Sequence, residues 1–278
     1  MKTRNEVISS RNNPTVKWAA SLLDKKGREA EKAFIAEGEK LTFEAIFANL
    51  PVTHVFVCEG KSKEFMDKME AALAAPAYKD CELILLSESA FSKISTEKAP
   101  QGVSCVIKYL DFFQKLDIIY KEDFCLLPGE RALALCSVRD PGNLGSVIRG
   151  AVAFGIDHLI LSADCADVYN PKTVRSAMGS LFRTRITAVS NFASFITSAK
   201  DVDRRVFAAE LTDNAKPLSE ISLQKSDIIM IGNEGHGIPK EISSLATGSV
   251  YIPISEKTES LNASVAASIF MWEQSKTI

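Results

Sequence analysis

Short apolar runs, each followed by a helical pattern or a glycine-rich segment, are what most constrains the fold of this 278-residue chain. Runs such as Ala132–Val138, His158–Leu161 and Ile228–Ile231 are apolar at nearly every position and do not alternate. Continuous runs of this length are typical of strands that are covered on both faces. Because helical patterns such as Asn143–Phe154 separate them, we predict an α/β fold with a mostly parallel sheet.

The same patterns continue to the end of the chain. Further strands are predicted at residues 185–189, 206–211 and 250–254, and helices at 171–178, 193–199 and 261–274. With the elements above, they predict a second domain that spans residues 132–278, a normal length for one domain.

The first 110 residues repeat the alternation on a smaller scale. An amphipathic helix is predicted from Pro14 to Lys26, since proline favours the first helical turn. The other predicted elements are strands at 33–36, 54–58, 83–86 and 103–107 and helices at 40–48 and 63–74. Residues 111–131 mix aromatic and charged residues with Pro128-Gly129. We therefore predict an α/β domain over residues 1–110 and a connector, at most partly helical, over 111–131.

Net charge does not predict a polyanionic partner for the chain as a whole. Its 33 Lys and Arg against 35 Asp and Glu leave a formal charge of −2. Residues 1–32, however, carry eight basic and four acidic side chains. This local excess fits phosphate contact and fits a solvated helix face equally well.

Cysteine and histidine usage predicts no metal site. The six cysteines are at least eleven residues apart, and the chain has three histidines. Scattered cysteines of this kind are typical of small buried side chains in a reducing compartment. No stretch approaches the 18 apolar residues of a membrane span, and the first residues lack an apolar signal region. We predict a soluble, cytoplasmic protein.

Three polar segments follow predicted strands, where open α/β sheets bind ligands. In the first, Gly142 and Gly145 permit a tight turn into a helix that carries Arg149. The second, Gly232–Gly237, has three glycines in six residues and the carboxylate of Glu234. An ordinary strand-to-helix turn and a structural loop would explain these two segments as well.

The third segment runs from Tyr251-Ile-Pro-Ile254 through a polar loop to Ser260-Leu-Asn-Ala-Ser-Val265. Ser260 and Asn262 fit a site and fit helix caps equally well. The helix that follows has a stripe of large apolar residues that indicates core or subunit interface, and small residues that permit close packing.

In order and spacing, the three segments resemble the motifs of the SpoU (TrmH-like) family of RNA 2'-O-ribose methyltransferases, a branch of the SPOUT superfamily. NLGSVIRGAVAFG resembles the first motif, GNEGHGI the second and IPISEKTESLNASVAASI the third, over residues 130–278. SRNNPTVK and FIAEGEKLTFEA are similar to the small ribosomal-protein-like substrate-binding domain often fused before it. One departure is Ser255-Glu256-Lys257, where the third motif usually has a glycine.

The resemblance implies a deep trefoil knot in the C-terminal domain, a homodimer packed partly through the last helix, and S-adenosylmethionine as cofactor. The cofactor is expected to lie against backbone groups near Gly232, Ile252 and Leu261. Such contacts make the absent G-x-G-x-x-G fingerprint unnecessary. No metal and no membrane are implied.

Five residues at the matching motif positions are expected to form the catalytic site. Arg149 is expected to clamp a phosphate and stabilise the developing 2'-alkoxide, because a guanidinium resists the deprotonation that a general base requires. Asn143 and Glu234 are expected to orient Arg149 or the ribose. Ser260 and Asn262 are expected to complete the wall around the target nucleotide.

RNA, most of all ribosomal RNA, is the substrate that the resemblance implies, with tRNA as the alternative. A basic patch of Lys172, Arg175, Arg183 and Arg185 brackets Ser176 and Gly179. Within it we expect Arg175 and Ser176 to contact RNA, with Arg11 and Lys17 acting from the N-terminal domain.

Two other classes of protein stay open at this point. A non-catalytic RNA-binding protein that keeps the fold is disfavoured by the joint presence of the five catalytic residues. A nucleotide-dependent oxidoreductase is disfavoured by the missing dinucleotide fingerprint.

Overall fold

The computed structural model describes residues 1–111, 113–116, 126 and 129–277, without the side chains of residues 4, 5 and 116. Its contacts divide the chain into two compact units. The first comprises Met1–Leu110 and Asp167–Phe182, and the second comprises Asp111–Ala166 and Arg183–Ile278. The domain boundaries given above stay predictions.

The described strands and helices alternate along most of the chain. The strands are β1 (Lys2–Ile8), β2 (Ala33–Glu37), β3 (Val52–Cys58), β4 (Glu82–Leu86), β5 (Val103–Lys108), β6 (Phe113–Leu116), β7 (Ala132–Leu135), β8 (His158–Ser162), β9 (Arg185–Val189), β10 (Val206–Ala209), β11 (Lys216–Pro217), β12 (Ile228–Ile231) and β13 (Gly248–Tyr251). The helices are α1 (Pro14–Ser21), α2 (Lys25–Glu31), α3 (Glu39–Phe47), α4 (Ser62–Ala72), α5 (Glu88–Ile94), α6 (Pro141–Phe154), α7 (Pro171–Ala177), α8 (Phe192–Asp201), α9 (Lys240–Ser243) and α10 (Ala263–Ser275).

The first unit has a five-stranded sheet in the order β1-β4-β3-β5-β2. Strands β1, β4 and β3 run parallel, and β5 pairs antiparallel with both β3 and β2. Its core packs α1 and α5 against one face through residues such as Val16, Phe91 and Ile94.

The second unit has an eight-stranded sheet in the order β11-β13-β10-β12-β7-β8-β9-β6. Every pairing in it is parallel. The predicted α/β class with a mostly parallel sheet is confirmed, and all these strands end at one edge. The implied trefoil knot stays a prediction.

The helix predicted over residues 14–26 is wrong in its extent, because two helices occupy this region. Helix α1 ends at Ser21, and the buried guanidinium of Arg28 donates to the carbonyls of Leu22 and Leu23 at 2.9 and 2.7 Å. Asp167 pairs with the same guanidinium at 2.7 Å. An arginine that takes up the free carbonyls of a helix end stabilises the break.

Two other predictions need correction. Residues 250–254 were predicted as a strand, but β13 ends at Tyr251, since Pro253 cannot donate to a ladder. The predicted connector contains strand β6, which pairs with β9 from Phe113 to Leu116. Strand β1 and helix α5 had no counterpart among the predicted elements; β1 is rich in polar residues because it lies at the edge of its sheet.

Helix α10 packs closely against α6. A Cβ on Gly150 would lie 2.6 Å from the Met271 methyl carbon. The face of α10 turned inward contains Ala267, Phe270 and Met271, all buried.

In the described part of the chain, no helix is long and apolar enough to cross a membrane. Among the same residues, no group of three or more His, Cys, Asp or Glu side chains is placed to hold a metal ion.

Candidate functional site

The three polar segments found in the sequence meet at the carboxyl edge of the second unit's sheet. Strands β13, β10, β12 and β7 are consecutive neighbours in that sheet. The first segment follows β7, the second follows β12 and the third follows β13. Because parallel strands end at the same edge, the sheet order alone brings these loops together.

A chain of side-chain amides connects all three segments. Asn262 Nδ2 donates to Asn143 Oδ1 at 2.9 Å, and Asn143 Nδ2 donates to Glu234 Oε1 at 2.5 Å. These three residues are far apart in the amino-acid sequence, so the fold itself brings them together. Three of the five predicted catalytic residues are in direct contact.

Two residues of this amide chain, Asn143 and Asn262, are held in place at helix termini. Asp140 caps α6 by accepting from the Asn143 backbone N–H at 2.8 Å, and Pro141 occupies the first helical position. Asn262 caps α10, since its Oδ1 accepts from the N–H groups of Ser264 and Val265. Asn262 therefore acts both as a cap and as a link, with its two amide atoms used for different purposes.

A cavity of about 260 Å³ opens beside the amide chain. Its lining residues come from the ends of β10, β12 and β13 and from the start of α10: Ala209, Glu210, Leu211, Ile231, Gly232, Asn233, Glu234, Gly237, Tyr251, Ile252, Ile254, Ser260, Leu261, Ala263, Ala266 and Phe270. All three residues predicted to bind the cofactor, Gly232, Ile252 and Leu261, line it, as does Ser260. Its walls combine apolar side chains with two carboxylates.

Hydrogen bonds within the loop after β12, and one to the segment after β7, fix the conformation of this loop. Asn233 and Gly237 exchange backbone hydrogen bonds at 3.0 and 2.9 Å, and Asn233 Nδ2 donates to the Ser137 carbonyl at 2.8 Å. A Cβ on Gly232 would lie 2.5 Å from the Gly237 carbonyl carbon. Glycine at position 232 is thus required by the packing of the loop itself.

Arg149 lies apart from the amide chain. It is exposed on α6, six residues beyond Asn143, which places it about 120° around the helix. Among the residues that the structure describes, none forms a hydrogen bond or an ion pair with its guanidinium. Its five N–H donors are therefore available to a ligand.

A polar cluster behind the first segment had not been predicted. Asp164 accepts from the Ser137 and Ser162 hydroxyls at 2.6 Å each and pairs with Arg139 at 2.9 Å. Burial alone raises the pKa of Asp164, but these hydrogen bonds outweigh it and lower the pKa to about 2. The cluster fixes the turn between β7 and α6, and a single aspartate after β8 gives no signal of it in the sequence.

The predicted RNA-binding residues all lie in the first unit. Arg11 and Lys17 are exposed; Arg11 lies just before α1, and Lys17 lies on it. On α7, Arg175 forms an ion pair with Glu97 and donates to the Thr96 hydroxyl at 3.1 Å, and Ser176 is half-buried beside it.

One member of the predicted basic patch has a different environment. Arg185 begins β9 and pairs with Glu130 at 2.9 Å, so it lies at the amino edge of the sheet, opposite the cavity. Beside it, His158 is buried, and burial with the charges of Arg185 and Arg204 lowers its pKa to about 3. This group of charges supports the sheet and is remote from the site.

Comparison with known proteins identifies relatives of both parts of the chain. Residues 130–272 match the model described as the SpoU rRNA Methylase family, and residues 13–105 match the MRM3-like substrate binding domain. A Bacillus subtilis protein named 23S rRNA (guanosine(2553)-2'-O)-methyltransferase is 31% identical over 95% of this chain and 97% of its own length.

Solved structures agree with that relationship. An rRNA methyltransferase from Sinorhizobium meliloti has a TM-score of 0.81 and 28% identity, over 99% of this chain and 98% of that one. The AdoMet-bound rRNA methyltransferase from the same organism has a TM-score of 0.80 and 28% identity, over 97% of each chain.

Proposed function

We propose that this chain, which belongs to the SpoU rRNA methylase family, transfers the methyl group of S-adenosylmethionine to a ribose 2'-hydroxyl of RNA. The observation that carries the proposal is the Asn262–Asn143–Glu234 chain at the mouth of a cavity. It joins the three motifs of the family at one place, beside a space suited to the cofactor.

The lining of the cavity fits S-adenosylmethionine. Leu261, Ile252 and Phe270 offer an apolar surface to a flat base, and the carboxylate of Glu234 suits a ligand with a cationic sulfonium group. When bound, the cofactor supplies a methyl group on a cationic sulfur. Backbone groups around Gly232, Ile252 and Leu261 would hold it.

The residues of this chain would then act on the RNA hydroxyl. Arg149 would donate to the adjoining phosphate and stabilise the charge that develops on the 2'-oxygen. Asn143, fixed between Glu234 and Asn262, would orient the ribose, and Ser260 would close the wall. The 2'-oxygen forms a bond to the methyl carbon as the carbon–sulfur bond breaks, and phosphate or water takes the proton.

Ribosomal RNA is the substrate that we favour, because the B. subtilis relative is named for 23S rRNA. The exposed cations Arg11 and Lys17 would contact its phosphates, together with Arg175 and Ser176. RNA phosphate would compete with Glu97 for Arg175. A target ribose has to enter a pocket, so a single-stranded or unstacked nucleotide suits this enzyme best.

Two measurements test the function. The purified protein should transfer a labelled methyl group from S-adenosylmethionine to ribosomal RNA from a strain that lacks its gene. Mapping of 2'-O-methyl groups in the ribosomal RNA and tRNA of that strain should show one missing modification in ribosomal RNA. A missing group in tRNA alone would favour the alternative substrate, and unchanged maps with no transfer would favour a non-catalytic RNA-binding protein.

Asn143→Asp should lower the rate of methyl transfer by roughly tenfold or more at pH 8, because a carboxylate would face the Glu234 carboxylate at hydrogen-bond distance. Like charges raise the pKa of one member of such a pair, so a shared proton should restore the hydrogen bond as the pH falls. The rate relative to the parent enzyme should therefore rise between pH 8 and pH 5.

Asn143→Ala is the matched control, since it removes the amide without adding a charge. Its rate relative to the parent should not change with pH in the same way. If the aspartate and alanine variants have the same relative pH profile, Asn143 does not act through Glu234.

The enzyme acts as a homodimer in this proposal. On α10, Val265 and Trp272 are 47% and 54% exposed, and Ile269 lies between them. Val152 on the neighbouring α6 is exposed as well. An apolar surface next to the small residues of α10 suits a second copy of the same helix.

Light scattering should give twice the 30.4 kDa mass of one chain at micromolar concentration. Val265→Glu combined with Trp272→Glu should give the mass of a monomer, because two charges would be buried in the interface. Val202→Glu changes an apolar residue just after α8 that is 61% exposed, and it should leave the dimer intact. A parent protein that is monomeric would contradict the homodimer.

A cytoplasmic location fits the state of the cysteines. The five that the structure describes are free thiols, four of them buried. Burial raises the pKa of Cys81 and of Cys105 to about 12, which keeps both protonated and unreactive.

A further inference from the structure

We infer that Glu210 is a cofactor-binding residue that accepts hydrogen bonds from the ribose hydroxyls of S-adenosylmethionine. The inference rests on the proposed function and adds a side-chain hydrogen-bond acceptor for the ribose to the apolar wall and backbone groups already described. Glu210 follows β10 directly, so its backbone is fixed by the central part of the sheet.

The position of the carboxylate is set by two neighbours on β13. The Glu210 backbone N–H donates to the Val250 carbonyl at 3.0 Å. The Ser249 hydroxyl donates to Glu210 Oε1 at 2.8 Å. In the described part of the chain, no group forms a hydrogen bond with Oε2. One carboxylate oxygen is thus held in place while the other is available in the cavity wall.

Glu210 and Glu234, the two carboxylates of the cavity, differ in the hydrogen bonds that they already accept and in the strands that they follow. Glu234 already accepts the Asn143 amide at the substrate side. Glu210 comes from β10, on the other side of β12 from β7 and its Asn143-bearing helix, so it faces a different part of the cofactor. Adenine suits the apolar wall and the backbone groups, whereas two adjacent ribose hydroxyls need acceptors when they leave water.

Calorimetric titration with S-adenosylhomocysteine, its 2',3'-dideoxy analogue and its analogue without the α-amino group tests the assignment. Glu210→Ala should weaken binding of S-adenosylhomocysteine by about ten- to a hundredfold, the range for a lost hydrogen bond to a charged group. The same substitution should leave the affinity for the dideoxy analogue unchanged. Glu210→Gln keeps an acceptor oxygen and should lose less.

Glu220→Ala is the matched control, an acidic residue that lines a neighbouring cavity with Glu210 but not the cofactor cavity. It should bind all three ligands as the parent does, and circular dichroism should show every variant folded. If the loss in Glu210→Ala disappears with the analogue without the amino group instead, or is equal for all three ligands, Glu210 does not contact the ribose. Equal affinity of the parent and Glu210→Ala would also overturn the inference, whereas a parent that binds none of the ligands would overturn the proposed function itself.

Discussion

Arg149→Ala should slow methyl transfer by a hundred- to a thousandfold or more while leaving the affinity for S-adenosylmethionine unchanged. The rate effect follows from the loss of a preorganised cation beside a developing oxyanion, which typically costs that much. The affinity should not change, because Arg149 is outside the cavity lining and outside the amide chain. Single-turnover transfer to RNA and calorimetry with the cofactor give the two quantities.

Arg149→Lys distinguishes a phosphate clamp from a general base. A lysine keeps the charge and loses the bidentate geometry, so a clamp predicts a rate between those of the parent and the alanine variant. A general base predicts the reverse at high pH, since an amine with a pKa near 10 loses its proton far more readily than a guanidinium. A lysine variant that overtakes the parent between pH 6 and pH 10 would contradict the clamp, and loss of cofactor affinity in Arg149→Ala would contradict the separation of roles.

The sequence predicts which residues belong to this site, but it does not predict which of their atoms form hydrogen bonds with one another. Asn143, Glu234 and Asn262 could be identified because their segments follow predicted strands, where open α/β sheets bind ligands, and resemble the motifs of the SpoU family. Their order in the hydrogen-bond chain could not, since it depends on which amide atom is used to cap α10. Likewise, the sequence indicates that Arg149 follows Asn143 on one helix, but its separation from the amide chain appears only in the structure.

The contacts of Glu210 and Asp164 could not be predicted from the sequence. Each is a single acidic residue after an apolar strand, a pattern that fits an ordinary exposed loop. The positions of their carboxylates come from partners far away in the sequence: Ser249 on β13 for Glu210, and Ser137 with Arg139 in the turn after β7 for Asp164. The break between α1 and α2 has the same origin, because Arg28 stabilises it from the following helix.

Leu261→Arg should abolish measurable binding of S-adenosylmethionine while the protein stays folded. Leu261 is half-buried in the cavity wall just before α10, so a longer cationic side chain would occupy the space of the cofactor and repel its sulfonium. Gly232→Trp should abolish binding too, but for a second reason. Even a Cβ at position 232 would approach the Gly237 carbonyl to 2.5–2.7 Å, so this substitution disrupts the loop itself.

The two variants therefore separate blocking of the cavity from loss of its structure. Circular dichroism and thermal unfolding should match the parent for Leu261→Arg and show a lower midpoint for Gly232→Trp. Leu261→Met is the matched control, because an apolar side chain of similar volume should retain most of the cofactor affinity. If Leu261→Arg binds the cofactor as tightly as Leu261→Met does, the cavity beside the amide chain is not where S-adenosylmethionine binds.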